Sequence, residues 1–173
     1  MFETYGNSII ISSVNPLSTR AALLEGYKEL KPWLTPSRPL FQGDTVLNVI
    51  REWDRNLCVE VHIGDDLVYR VQPGPDRHKK GTNAGNVGAI AGKILVARKF
   101  GISSMLAAFR KEDNPSMANG LDDSYKFWGG CIPILVGGSI VGFVATSGEP
   151  DKIDHEACAE GLKRFLAAVS AKL

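Results

Sequence analysis

One histidine near the end of the chain occupies a position from which a side chain could do chemistry. Apolar residues after His155 recur at three- and four-residue spacing, as in a helix packed on a sheet: Cys158, Leu162, Phe165, Leu166 and Val169. His155 lies on the same face of this predicted helix, one turn before Cys158. An imidazole on the inward face of a first helical turn is either bonded to a core carbonyl or carboxylate, or used to bind a ligand. The residues around His155 leave both interpretations open.

The chain just before His155 predicts a sharp corner. A strand ends at Ser147-Gly148, and a helix is expected to begin at about Asp151. Asp151 suits the N-cap position because it is acidic. Asp154, three residues later, can accept a hydrogen bond from the backbone N–H of Asp151, as in a capping box. We therefore predict that Ser147, Gly148 and Asp154 lie beside His155 and contribute to a ligand-binding site.

Two β-hairpins are predicted. The one that leads into the corner has Val- and Ile-rich strands, Cys131–Val136 and Ile140–Thr146, and the intervening Gly137-Gly138-Ser139 supplies the positive φ angles of a tight turn. The other joins Leu57–Ile63, in which apolar residues alternate with polar ones, to Leu67–Val71.

A basic loop offers a second part of the candidate site. Gln72–Asn86 is the longest polar stretch of the chain. Four consecutive residues within it are cationic or titratable: Arg77, His78, Lys79 and Lys80. The loop runs into a predicted helix, Val87–Phe100, whose first N–H groups, with the basic side chains, suit a carboxylate or phosphate. A solvated surface loop is the alternative.

The glycines of this region do not form a nucleotide motif. Gly81, Gly85, Gly88 and Gly92 are spaced by three or four residues, which matches neither a P-loop nor the dinucleotide-binding pattern. Gly88 and Gly92 are instead predicted to let the helix pack closely against a neighbour. A nucleotide is therefore not the favoured ligand.

Other segments complete the predicted architecture. Helical periodicity covers residues 17–31 and about Gly43–Arg55. Ser8–Val14 could be an edge strand or an arm lying on another subunit. Ile102–Phe109 either extends the preceding helix or forms a further strand, and we favour the strand.

A polar segment and three aromatic residues connect that strand to the second hairpin. Lys111–Asp123 contains proline, asparagine and glycine, which are typical of a surface loop. Tyr125, Phe127 and Trp128 follow it and could line a pocket or pack against a neighbouring molecule.

Composition restricts the class of protein. A chain of 173 residues with 44% hydrophobic content is expected to form one compact domain. Its net charge of +1 gives no support for nucleic acid or an anionic membrane as partners. No apolar run is long enough to span a bilayer, so we expect a cytoplasmic protein. Cys58, Cys131 and Cys158 are expected to be free buried thiols, and zinc or another metal is not expected.

No catalytic constellation is evident, so the catalytic residues are unknown. Ser147 lies at a strand-to-helix corner, but Thr146 and Gly148 around it do not form the hydrolase elbow motif. A lyase or hydrolase remains open only because His155 and Ser147 could share that corner. The residues therefore favour a ligand-binding α/β domain over an enzyme.

Several short motifs, taken in order, resemble the GlcG/HbpS-like family of haem-degrading or haem-binding domain proteins, related to the C-terminal domain of PduO. They are Gly129-Gly130, Val141-Gly142 through Ser147-Gly148, Asp154-His155, the ARKFGISS run of Ala97–Ser104, and the LCVEVHIGDDLVYR hairpin. The resemblance covers about Gln42–Ala168, which divides the chain into an N-terminal arm and helix (1–40) and a GlcG/HbpS-like domain (41–173). One departure is GTNAGNVGAIAGK, where relatives usually have N-D-x-x-W.

The resemblance implies a fold, a ligand and partners. The fold would be profilin-like α+β, with a five-stranded antiparallel sheet and helices on both faces. Relatives commonly form dimers or larger rings, some bind haem or another tetrapyrrole, and some are described as haem-degrading, so haem is the implied cofactor. In that interpretation Lys79 or Lys80 meets the acidic groups, and His155 or His78 binds the iron or donates a hydrogen bond. The alternative is a non-enzymatic oligomeric scaffold or protein-sorting interaction protein.

Overall fold

The strands form one mixed sheet. The architecture comes from a computed structural model, which describes residues 3–5, 8–10, 39–72, 82–136 and 138–170. The strands of this part of the chain are β1 (Glu3–Tyr5), β2 (Ser8–Ile10), β3 (Cys58–Ile63), β4 (Asp66–Val71), β5 (Cys131–Val136) and β6 (Ser139–Ser147). Their order across the sheet is β1-β2-β5-β6-β3-β4.

Helices connect these strands. They are α1 (Pro39–Glu52), α2 (Thr82–Phe100), α3 (Ser104–Asp113) and α4 (Asp151–Ser170), with a short 3₁₀ helix at Pro115–Ala118. None of the helices in the described ranges is long and apolar enough to span a bilayer. The predicted helix over residues 17–31 lies outside the described part of the chain.

The α+β class with an antiparallel sheet is confirmed, but the predicted number of five antiparallel strands is wrong. Four strands, β5-β6-β3-β4, form the antiparallel sheet. The three-residue strands β1 and β2 extend it at one edge, where β2 runs parallel to β5. Within the predicted Ser8–Val14 segment, residues 8–10 form a strand that lies between β1 and β5, so it is not the edge strand of the sheet.

The predicted strand at Ile102–Phe109 is wrong, because Ser104–Asp113 is a helix. Ser103 is the N-cap of α3, and its side chain accepts a hydrogen bond from the Leu106 N–H over 3.2 Å. Ser104 and Ala107 are buried, whereas Phe109 is half exposed. A short apolar run is compatible with either structure, and here the cap determines a helix. The predicted loop at Lys111–Asp123 accordingly begins with the last turn of α3 and the 3₁₀ helix.

Alternating side chains of the sheet pack against helices on both faces. One core cluster joins α1 and α4 to one face of the sheet (Val46, Val49, Ile50, Leu57, Val59, Val61, Tyr69, Ile132, Ile134, Val144, Ala157, Cys158 and Leu162). The other joins α2 to the opposite face (Ile90, Ile94, Ala97, Cys58, Cys131, Phe143 and Ala145). The period-two alternation of β3 thus decides which helix each residue meets.

The predicted close packing of α2 against a neighbouring segment is confirmed at Gly92 but not at Gly88. A Cβ atom on Gly92 would lie 2.5 Å from the carbonyl oxygen of Ser124, so the segment before β5 rests on the α2 backbone. A Cβ on Gly88 would meet no atom within 4 Å. Only the second of the two glycines is therefore required by packing.

Candidate functional site

Most of the candidate residues collect at the end of the sheet where β3 and β5 begin and β4 and β6 end. The register defines this end, because Cys58 lies opposite Ser147 and Val59 lies opposite Val71. Helix α4 begins directly after β6. Antiparallel pairing therefore brings together segments that are distant in the sequence. We refer to this region as the Cys58–Ser147 end.

A buried ion pair joins α2 to α4 at the Cys58–Ser147 end. The side chain of Lys93 is 1% exposed, and its Nζ donates to Asp154 Oδ2 over 2.6 Å and to the Thr146 carbonyl over 2.9 Å. Burial raises the pKa of Asp154, although the Lys93 ammonium acts in the opposite direction. Each charge needs the other, because an unpaired charge in the core is strongly destabilising.

Gly130 leaves the space that this ion pair occupies. Its φ is +118°, and a Cβ on it would lie 2.5 Å from the Thr146 carbonyl and 3.0 Å from Lys93 Nζ. Thr146 donates its N–H to Gly130 O over 2.7 Å and its hydroxyl to Asp154 O over 2.6 Å. The backbone around the pair is therefore held in a conformation that glycine permits.

The corner before α4 is bonded to the same carboxylate. Asp154 Oδ1 accepts from the Glu149 N–H over 3.0 Å, so its local bond goes to Glu149 and not to Asp151. Glu149 in turn accepts from the Asn56 N–H over 3.3 Å. Gly148 has a φ of +144° and approaches Asn56 so closely that a Cβ would lie 2.3 Å from its carbonyl. These contacts fix the turn that places α4.

Four buried side-chain atoms at this end have no hydrogen-bond partner among the described residues. They are Asn56 Oδ1, Gln72 Oε1, Asn86 Nδ2 and His155 Nδ1. Asn56 precedes β3, Gln72 follows β4, and the Asn86 amide lies 3.2 Å from the position of a Cβ on Gly148. A buried polar atom without a hydrogen-bond partner lowers the free energy of unfolding by about 1–3 kcal/mol, so a bound partner at these atoms would be stabilising.

His155 lies in the first turn of α4 and is 9% exposed, so the predicted inward position is confirmed. Burial lowers the pKa of the imidazole, the nearby Lys93 ammonium lowers it further, and the Glu156 carboxylate acts in the opposite direction. The ring is therefore neutral at physiological pH. A neutral imidazole with an unbonded nitrogen can accept a hydrogen bond or bind a metal ion.

We expect the free energy of unfolding to fall less between neutral pH and mild acid in His155→Gln than in the wild type. The folded-state pKa of His155 lies below its unfolded value of 6.5, so the unfolded chain takes up the proton first as the pH falls. This histidine therefore costs stability as the pH drops through 6.5. Urea unfolding at pH 7.5 and 5.5 should show a larger decrease for the wild type than for His155→Gln. Equal decreases would contradict the proposed burial of a neutral ring.

The structure brings together part of the predicted site. Ser147 is buried at the end of β6, and Gly148, Asp154 and His155 follow at the same corner. His78, Lys79 and Lys80 lie outside the described residues, so their part in the site stays a prediction. Strand β4 ends and α2 begins on either side of residues 73–81.

Sequence reasoning missed the most buried charge of the site. Lys93 belongs to the inward stripe of α2 at helical spacing, together with Ile90, Ile94 and Ala97, all of which are buried. A lysine within an apolar stripe is the signal that could have identified it. Asn56 and Asn86 gave no comparable signal, because such residues are common next to strands and at helix starts.

The cysteines are free and buried, as predicted, and burial raises the pKa of Cys58 to about 12. Among the described residues there is no group of three His, Cys, Asp or Glu side chains that could hold a metal ion. In this part of the chain, no hydrogen bond links Ser147 to His155. A nucleophile activated by a histidine is thus not formed there.

Comparison with known proteins supports the resemblance inferred from the motifs. The family model described as haem degrading protein HbpS-like matches residues 76–163. A UPF0303 protein of Streptomyces coelicolor is 31% identical over 132 residues, which are 72% of this chain and 78% of the relative. The UPF0303 protein of Streptomyces avermitilis is 32% identical over 131 residues, which are 69% of this chain and 75% of the relative.

Two solved structures share the fold. The crystal structure of HbpS superposes with a TM-score of 0.59 at 14% identity, covering 75% of this chain and 88% of HbpS. That of the Ybr137w protein superposes with a TM-score of 0.62 at 20% identity, covering 89% of this chain and 90% of its own. The family model matches more than half of the chain, which is sufficient to assign the family. The chain belongs to the family described as haem degrading protein HbpS-like, and UPF0303 proteins are among its relatives.

Proposed function

We propose that this protein binds a small anionic molecule at the Cys58–Ser147 end of the sheet, and that haem or a related tetrapyrrole is the ligand. The observation that carries the proposal is the presence at that end of four buried polar atoms with no partner among the described residues, from Asn56, Gln72, Asn86 and His155. Such atoms are rare in folded proteins and mark places where a further partner completes the hydrogen bonding. The family description supplies haem as the ligand class.

The residues of this end fit haem in their chemistry. Haem would supply an iron atom that an imidazole nitrogen could ligate. His155 is neutral and its Nδ1 has no partner among the described residues, so it is the residue that we propose for this role, with His78 as the other candidate. Lys79 and Lys80 are proposed to pair with the propionates.

Other side chains of this end would orient the ligand without touching its iron. The carboxamides of Asn56, Gln72 and Asn86 can each donate and accept hydrogen bonds. The Lys93–Asp154 pair is already satisfied internally, so its role is to hold the first turn of α4 and thereby the His155 ring. We propose binding rather than turnover, since no nucleophile and base are paired in the described part of the chain.

Titration with two porphyrins tests this proposal. Haem added to micromolar protein should give a shifted Soret band, and His155→Ala should abolish the shift. Metal-free protoporphyrin IX has the same propionates but no iron. Its binding, followed by fluorescence, should survive His155→Ala and weaken about tenfold or more in the double variant Lys79→Ala/Lys80→Ala.

Matched controls separate the site from general damage. His62 bonds to Glu60 over 2.8 Å near the other end of β3, so His62→Ala removes a histidine without changing the proposed site. Lys163→Ala removes an exposed lysine of α4. Both controls should bind haem like the wild type. Absence of any Soret shift in the wild type would refute haem, and an equal effect of His62→Ala would refute the role of His155.

A further inference from the structure

A pocket lies beside the middle and the C-terminal end of α2. Its volume is 300 Å³, and it is lined by Lys111 of α3, Ala118 of the 3₁₀ helix, and the segment from Leu121 to Trp128. Phe127 of that segment packs on Phe100, the last residue of α2, with ring centroids 5.7 Å apart. Asn86 and Phe100 are separated by about 21 Å along the helix, and the lining contains none of the described residues proposed for the ligand site.

The wall of this pocket is held in place by backbone contacts. The Lys126 N–H donates to the Gly92 carbonyl over 3.1 Å, and a Cβ on Gly92 would lie 2.3 Å from Lys126 Cγ. The Ser124 carbonyl oxygen would lie 2.5 Å from the same Cβ position. The segment before β5 therefore lies against α2 with no space between them, which gives the pocket a preformed wall.

Two lysines stand over the aromatic rings of the pocket. Lys111 Nζ is 4.6 Å from the centroid of Phe127, and Lys126 Nζ is 5.3 Å from the centroid of Trp128. Neither lysine takes part in a salt bridge within the described ranges. Cations placed over ring faces in this way remain available to an anion that approaches from the open side.

The pocket also contains two acidic side chains, Asp122 and Asp123, and neither forms a salt bridge with Lys111 or Lys126 within the described ranges. Asp122 Oδ1 accepts from the Ser124 N–H over 2.9 Å and from the Ser124 hydroxyl, and these bonds lower the pKa of Asp122. Its carboxylate is thus engaged in its own turn. Asp123 is the other acid, so the lining carries two carboxylates and two ammonium groups, of which the ammonium groups lie over the aromatic rings.

We infer that this pocket binds an aromatic carboxylate of about two fused rings. The exposed Trp128, at 45%, offers a face for stacking, while Lys111 and Lys126 would meet the carboxylate. A volume of 300 Å³ is at the lower limit of ligand pockets, which span roughly 300–1,000 Å³ and enclose most of a ligand's surface. The pocket is therefore too small for a tetrapyrrole and suits a smaller planar acid.

Calorimetric titration with a matched pair of probes tests this inference. The probes are 1-naphthaleneacetate and 2-(1-naphthyl)ethylamine, which share the ring system and carry opposite charges. The carboxylate should bind about tenfold more tightly than the amine. The double variant Lys111→Ala/Lys126→Ala and the single variant Trp128→Ala should each weaken binding of the carboxylate by about tenfold or more.

The controls are the same substitutions elsewhere on the surface. Lys152→Ala removes an 81% exposed lysine of α4, and Trp53→Ala removes a 36% exposed tryptophan beyond α1. Both, and His155→Ala, should leave the dissociation constant of 1-naphthaleneacetate unchanged, which separates this pocket from the proposed haem site. Equal binding of the two probes, no binding of either, or no loss in the pocket variants would overturn the inference.

Discussion

Lys93→Met is expected to lower the free energy of unfolding by about 3–5 kcal/mol at neutral pH. Methionine fills a similar volume but leaves the Asp154 carboxylate buried with no cation, and it removes the bond to the Thr146 carbonyl. Since burial already raises the pKa of Asp154, loss of the ammonium should raise it further. Urea unfolding at pH 7 measures the effect. The deficit should shrink in acid, because a protonated Asp154 needs no counter-charge.

Two further variants show whether the effect comes from the buried pair. Lys163→Met removes a 79% exposed lysine that lies 3.5 Å from Glu160, and it should change the free energy of unfolding by less than about 0.5 kcal/mol. The double variant Lys93→Met/Asp154→Leu removes both buried charges and should recover most of the loss. A Lys93→Met protein no less stable than Lys163→Met would contradict this account.

Gly161→Ala is expected to destabilise the protein by about 1–3 kcal/mol, although alanine favours helices over glycine. Gly161 is the point where α4 crosses α1. A Cβ on it would lie 2.4 Å from Val46 Cγ2 and 2.6 Å from Val46 Cα. Val46 is fully buried, so neither helix can yield without disturbing the core. Thermal and urea unfolding of the variant measure the loss.

Gly88→Ala is the control, because the same substitution is expected to raise the free energy of unfolding there. Gly88 lies on the exposed face of α2, and a Cβ there would meet no atom within 4 Å. The substitution should therefore stabilise the protein by about 0.5–1 kcal/mol through helix propensity alone. If Gly161→Ala also stabilised the protein, this result would contradict the close contact between α1 and α4 at Val46.

Some elements could be predicted because their signals are local. The hairpin of β5 and β6 follows from alternating apolar residues around Gly138, whose φ is +81°. Helix α4 begins at Asp151 as predicted, although Asp154 accepts from Glu149 and not from Asp151, and its apolar stripe places His155 inward. The strand prediction for Ile102–Phe109 is wrong because an apolar run of this length fits a strand or a helix, and the hydrogen bond from the Leu106 N–H to Ser103 stabilises the helix.

Local sequence patterns were sufficient for the hairpins, the last helix, the free thiols and the family. Only the tertiary structure decided that Asp154 pairs with Lys93, 61 residues away, and that Asn56, Gln72 and Asn86 lie at the same end of the sheet. The physical reason is that periodicity and caps encode the interactions of near neighbours along the chain. Partners across a sheet are instead determined by strand register, helix placement and the cost of leaving a buried charge alone.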